Sequence, residues 1–242
     1  MDAKKRKAAV IGALNVDIGG HPEAAFVPGD SIPGRVKTTL GGVGWNIARN
    51  CASLGAEAAF FSVLGEDGNA ALIRADAAEY GVSLRGCRWV EAENNRYLYI
   101  RGKTGEMVAA VNDMSLCERM DAAFAAERLD ALNGFHVIVA DANLPTEAFH
   151  ALASGCTAPL VADCVSAVKC GRLRDDLSAI HTLKANRMEA EMLTGRIDPE
   201  DCVRALLDRG VTQVLGLSDS DNGITITAEQ IIGDENGFFV LF

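Results

Sequence analysis

The chain has 242 residues, 49% of them hydrophobic and 23% charged, and a formal net charge of −10. That length suits one large domain, or one domain with a small appendage, and so much aliphatic surface excludes global disorder. The acidic balance excludes a nucleic-acid polymer as the main partner, and no signal peptide or membrane-length apolar run is visible, so a cytoplasmic protein without a membrane partner is expected.

Lys4-Lys5-Arg6-Lys7 reads as a solvated basic tail, and Ala8 to Gly12 as a short buried strand. Gly41-Gly42-Val43-Gly44 opens a helix through about Leu54, which Gly55 closes. Ala58 to Leu64 reads as a strand, and Gly68 to Tyr80 as a helix stopped by Gly81. Met120 to Leu132 is predicted helical, and Phe135 to Ala140 a strand running into Asp141-Ala142-Asn143. Pro145 opens the next helix at its first position, followed by a strand over 159–163. His181 to Lys184 is a strand leading to Asn186 and a helix through Leu193; a helix over 199–209 and a strand over 211–217 complete the series. Repeated strand–helix units with near-continuous apolar strands predict an α/β fold, a mostly parallel central sheet with helices on both faces.

Two segments break this rhythm. Residues of about 15–40 carry Pro28, Gly29, Pro33 and Gly34, and those of about 95–113 hold two strand-like runs around a Lys103-Thr104-Gly105 turn. Both are expected to form strands outside the main sheet, as a small β lid over the strand ends. The whole chain, 1–242, is expected to be one domain.

Polar residues collect after the strands, where open parallel sheets bind ligands. Asn15 and Asp17 follow the first strand, Asp141 to Asn143 a later one, then Asp163 with Ser166 and Lys169, then Lys184, Asn186 and Glu189. Asp and Asn suit hydroxyl groups, and Lys with helix N-termini suits phosphate. Helix caps and turns use the same residues, so each one singly reads either way. The diglycine is equally ambiguous: it serves a tight turn, or it lets the backbone approach a ligand and leaves N–H groups free. It is neither a Walker A loop nor a dinucleotide fingerprint. The seven cysteines form no CxxC pair and no metal-like spacing, and read as small buried hydrophobes.

As an ordered set these residues resemble the ribokinase-like PfkB kinases. Val10 to Asp17 is similar to that family's first strand, Gly41 to Ala48 with Leu54-Gly55 to its first signature, and Gly65 to Asn69 to its G-x-D-x-x-G stretch. Gly34-Arg35-Val36, Ala109 to Met114, Asp141 to Pro145, Asp163 to Ser166 and His181 to Glu191 resemble the pseudouridine kinases of that family. The resemblance implies ATP and Mg²⁺ as cofactors and phosphorylation of the pseudouridine 5′-hydroxyl; another sugar or nucleoside substrate, or a non-catalytic nucleoside-binding remnant, is the alternative. It places Asp17, Gly41, Gly42 and Asn46 on the ribose, and Asn112, Asp113 and Asn143 on sugar or base. Lys184 and Asn186 would serve the phosphates, and Glu189 a Mg²⁺-bound water. Lid strands of the family pair between subunits, which implies a homodimer through the hairpin.

The family's Gly-Ala-Gly-Asp segment, which carries its catalytic base, has no counterpart here, and the chain ends on Phe238-Phe239-Val240-Leu241-Phe242. The expectation is a chain lacking that C-terminal segment, with no catalytic residue identified and phosphorylation impaired.

Overall fold

The computed structural model describes residues 6–216, so the expectations placed on Leu217 to Phe242 lie outside the described residues. The first half of the chain supplies β1 (Lys7–Ile11), β2 (Asn15–Pro22), β3 (Gly34–Gly41), α1 (Val43–Ser53), β4 (Glu57–Phe61), β5 (Val63–Gly65), α2 (Ala70–Tyr80) and β6 (Arg88–Val90). It continues with β7 (Arg96–Arg101), β8 (Met107–Asp113), α3 (Ala122–Ala126), α4 (Leu129–Leu132), β9 (Val137–Asp141) and α5 (Thr146–Gly155). The last described elements are β10 (Leu160–Asp163), β11 (Thr182–Lys184), α6 (Arg187–Thr194), α7 (Pro199–Asp208) and β12 (Gln213–Leu215).

Six strands form one parallel sheet in the order β12-β11-β10-β9-β1-β4. Its strands are apolar on both sides because both faces are covered: Ala9 and Ile11 of β1 enter one core cluster, and Val10 the other. The chain passes from β1 to β4 on one side, then to β9 and onward on the other. The topological switch point, where such sheets bind ligands, therefore lies at the carboxyl ends of β1 and β9.

The two irregular segments form a second, four-stranded sheet in the order β3-β2-β7-β8. β7 and β8 are an antiparallel hairpin, while β2 pairs antiparallel with β3 and parallel with β7. Buried Asn95 fastens this sheet to the domain. Its Nδ2 donates to Leu14 O at 3.1 Å, and its Oδ1 accepts from Leu116 N at 3.1 Å.

Two predicted elements come out differently. The strand expected over 58–64 divides at Ser62, whose hydroxyl donates to Gly12 O at 2.7 Å; beyond it β5 leaves the main sheet to pair with β6. The single helix expected over 120–132 is α3 plus α4, after a 3-10 turn at Ser115–Arg119. Asp121 starts α3 by accepting from Phe124 N at 2.7 Å. Arg128 then donates to the carbonyls of Phe124 and Gly86 at 3.0 and 2.8 Å, while its own N–H goes to Ala125 O at 3.1 Å. No helix among the described residues is long and apolar enough to cross a membrane.

Candidate functional site

The switch point is built around one buried carboxylate. Asp141, at the end of β9, is fully buried, and its Oδ2 accepts from Ala13 N at 3.0 Å and Gly44 N at 2.8 Å. Its Oδ1 accepts from Asn143 N at 2.9 Å. The end of β1, the start of α1 and the end of β9 are thus tied to one group. Burial outweighs these donors and pushes its pKa up to about 6.

The diglycine is a close approach to the protein's own chain. A Cβ on Gly41 would collide with the Asp17 carboxylate, so glycine here makes the room that Asp17 occupies. Gly42, at φ 97°, lies in the left-handed region, and a Cβ there would stand 2.6 Å from Ala13 O and 2.7 Å from Asn15 Oδ1. Gly44 N–H is held by Asp141, and Trp45 N donates to Ala13 O at 3.1 Å. The N–H groups of Gly44 and Trp45 are therefore engaged within the protein's own chain.

Asp17, on β2, accepts from Asn15 Nδ2. Burial raises its pKa, and the Asn15 bond and the Arg49 charge oppose the rise. Arg49 on α1 donates to Asn46 Oδ1 at 2.6 Å and pairs with Asp76 at 3.5 Å. Asn46 and Arg49 line a cavity of about 460 Å³ together with Val43, Asn50, Asp163 and Lys184.

Across that cavity, Lys184 at the end of β11 pairs with Asp163 at the end of β10 at 3.3 Å. Asp163 Oδ1 also accepts from Val165 N at 2.7 Å, holding Val165 at φ 62°. A β-branched residue there is strained by about 1–3 kcal/mol, and this turn sets the direction in which the chain leaves β10. Asn186 and Glu189 share the first turn of α6, but they face each other's backbone. Glu189 N donates to Asn186 Oδ1 at 2.9 Å and Asn186 N to Glu189 Oε2 at 2.8 Å, a reciprocal capping box. Glu189 is buried, which raises its pKa; Lys184 nearby opposes the shift and Asp163 adds to it.

Among the described residues, no group of three or more His, Cys, Asp or Glu side chains stands at metal-binding distances. Magnesium asks for less: it keeps several waters and takes one or two carboxylates beside the phosphates. Asp163 and Glu189, two hard-oxygen carboxylates in electrostatic reach of each other, fit that demand.

Asn143 is buried at the end of β9, and its side-chain oxygen accepts from Lys169 Nζ. Asn112 and Asp113 lie on exposed β8 and, as neighbours in a strand, on opposite faces. Asn112 stands opposite Tyr97, which is itself opposite Asp17. Asp113 stands opposite Arg96 and accepts from Ser115 N at 3.0 Å, away from the face of Asp17. The structure therefore gathers Asp17, Gly41 and Gly42 at the switch point, with Asn143 at the adjoining strand end. Asn46 and Lys184 line the cavity, where Lys184 neighbours Glu189 and its cap partner Asn186; Asn112 shares Asp17's row, and Asp113 stands apart. Arg49, which also lines the cavity, carries no distinguishing local signal as a helical arginine. Asp141 was visible as a strand-end acid, without any sign that it binds backbone amides.

Residues 5–236 match the pfkB family of carbohydrate kinases. The chain is 39% identical over 194 residues to the pseudouridine kinase of Escherichia coli K12, covering 79% of this chain and 62% of that protein. It is 32% identical over 212 residues to the uncharacterized sugar kinase YeiI of the same organism, covering 85% of this chain and 59% of the other. A carbohydrate kinase from Agrobacterium tumefaciens superposes with a TM-score of 0.82 at 26% identity, covering 92% of this chain and 73% of that one. The chain thus spans about three-fifths of the length of these two curated relatives.

Proposed function

The chain belongs to the pfkB family of carbohydrate kinases, and from that membership we propose that it transfers the γ-phosphoryl group of ATP to the 5′-hydroxyl of pseudouridine. The observation that carries the reading is the placement of Asp17 against Gly41 at the switch point, with the Arg49 charge in reach and Lys184 across the cavity that Arg49 lines. A carboxylate that accepts hydroxyl hydrogen bonds thus adjoins a cation-lined space suited to phosphates. The 39% identity to a pseudouridine kinase supports the substrate.

Asp17 would orient the ribose, with Asn143 and Asn112 completing the polar surround. Arg49 and Lys184 would hold the phosphates, and Asp163 and Glu189 would hold magnesium through its waters. Bound magnesium neutralises phosphate charge, and the chain's own contribution is positioning. The second sheet would cover the site against water. No described residue is assigned as the base: Asp141 is bound to three amides, Asp163 to Lys184, and Glu189 to its cap.

The test is mass-spectrometric detection of product from the purified chain with Mg-ATP and pseudouridine, with uridine and ribose as controls. Selective pseudouridine 5′-phosphate supports the reading. Phosphorylation of ribose or another sugar in preference moves the substrate elsewhere in the family, and binding without turnover favours a nucleoside-binding role.

The exposed residues on the face of the second sheet opposite that of Asp17 support a homodimer. Ile18, Leu98 and Val111 share one row, Val36, Ile100 and Ala109 the next, and Val36, Leu98 and Val111 are exposed. The double substitution Leu98→Asp, Val111→Asp is expected to shift the light-scattering mass from dimer to monomer. A wild-type chain that is already monomeric would refute the dimer.

A further inference from the structure

The face of the second sheet that carries Asp17 also carries a wall of rings that binding of the sugar and phosphates does not require. Thr39, Asp17, Tyr97 and Asn112 lie in register across β3, β2, β7 and β8, and so share one row and one face. Neighbouring strands are about 4.8 Å apart, so a substituent on a sugar held at Asp17 is presented to Tyr97 on one side and Thr39 on the other.

In the next row Gly19 pairs with Tyr99, and glycine is needed there. A Cβ would lie 2.6 Å from Cζ and Oη of Tyr99, so its absence lets that ring lie across β2. The Tyr97 and Tyr99 centroids are 5.7 Å apart, with the ring planes tilted by 35°. His21 meets Tyr99 edge-on at 6.1 Å, and the Arg101 guanidinium lies 5.3 Å from its centroid. Tyr99 is therefore held in place by neighbours, and it backs Tyr97, the residue opposite Asp17 in the register, whose hydroxyl meets Met107 Sδ at 3.6 Å. A free sugar gains little from such a wall. A planar heterocycle gains a stacking surface, with the Asn112 amide next to it able to donate and accept at the ring's edge.

We propose that Tyr97, backed by Tyr99 across Gly19, is a specificity-determining stacking surface for a planar base carried on the ribose. It rests on the reading of Asp17 as the ribose-binding residue, and it makes the preferred substrate a nucleoside rather than a free sugar.

The test is titration calorimetry of pseudouridine and of ribose against the full chain, its Tyr97→Leu variant and its Tyr97→Phe variant. Tyr97→Leu is expected to weaken pseudouridine binding about tenfold and leave ribose binding unchanged, while Tyr97→Phe keeps both. Unchanged ribose binding also shows that the variant is folded. The inference is overturned if Tyr97→Leu keeps its pseudouridine affinity, or loses pseudouridine and ribose equally. A wild-type chain that binds ribose as tightly as pseudouridine also overturns it, and leaves the reading of Asp17 standing; one that binds neither removes both.

Discussion

Asp17→Asn is expected to weaken pseudouridine binding about a hundredfold without lowering the unfolding free energy. A hydrogen bond to a charged group contributes roughly 1.5–3 kcal/mol, and the carboxylate has acceptor sites for two hydroxyls, which a neutral amide of the same shape replaces poorly. The stability half of the expectation follows from the direction of its pKa shift. Burial raises the Asp17 pKa, so carrying the charge in the folded state costs stability at neutral pH, and removing the charge restores it. The same shift predicts that affinity falls on acidification at a higher pH than an ordinary carboxylate would give. Calorimetric titration across pH, paired with urea unfolding of both proteins, checks both halves. Unchanged affinity in Asp17→Asn would show that the ribose lies elsewhere.

Asp141→Ala is expected to destabilise the fold by about 3–5 kcal/mol. The substitution leaves the amides of Ala13, Gly44 and Asn143 without their acceptor, and each buried orphan costs about 1–3 kcal/mol. Asp141→Asn removes the charge and keeps one acceptor oxygen, enough for the amides of Ala13 and Gly44 while that of Asn143 loses its acceptor. The folded pKa of about 6 stands above the ordinary 3.8. The stability linked to the protonated form is therefore fully present below pH 3.8 and is lost as pH rises through about 6. Wild type should thus lose about 3 kcal/mol relative to Asp141→Asn between pH 4 and 7, the free energy of a shift of roughly two units. Urea unfolding of the two proteins across that window measures the difference, and a gap that does not move with pH would refute the assignment.

Both residues illustrate how far local pattern reaches. Asp17 stands out in the sequence by its place after the first strand and by resemblance. Its partners were hidden, because Arg49 lies 32 positions away and Gly41 meets it only once β2 and β3 pair. Asn186 and Glu189 are three positions apart, and the sequence puts them on one helix face. Three-residue spacing alone does not separate two groups aimed at an ion from a capping box, and the hydrogen bonds show the box. The break at Ser62 was illegible for a related reason. An unbroken apolar run reads as one strand, while the hydrogen bond that divides it goes to Gly12, fifty residues earlier.

The sequence by itself determined the alternation of strands and helices, the parallel sheet they build, and the strand ends at which polar residues gather. Those are consequences of periodicity and of glycine and proline placement, which act within a few residues. Only the tertiary structure decided which strand ends adjoin, because strand order brings Asp141 to Ala13 and Gly44 across 128 and 97 positions. It also decided which side of the second sheet each residue occupies. Side chains alternate along a strand, so the pairing register sets Asn112 beside Tyr97 and Asp17, and turns the adjacent Asp113 to the other face.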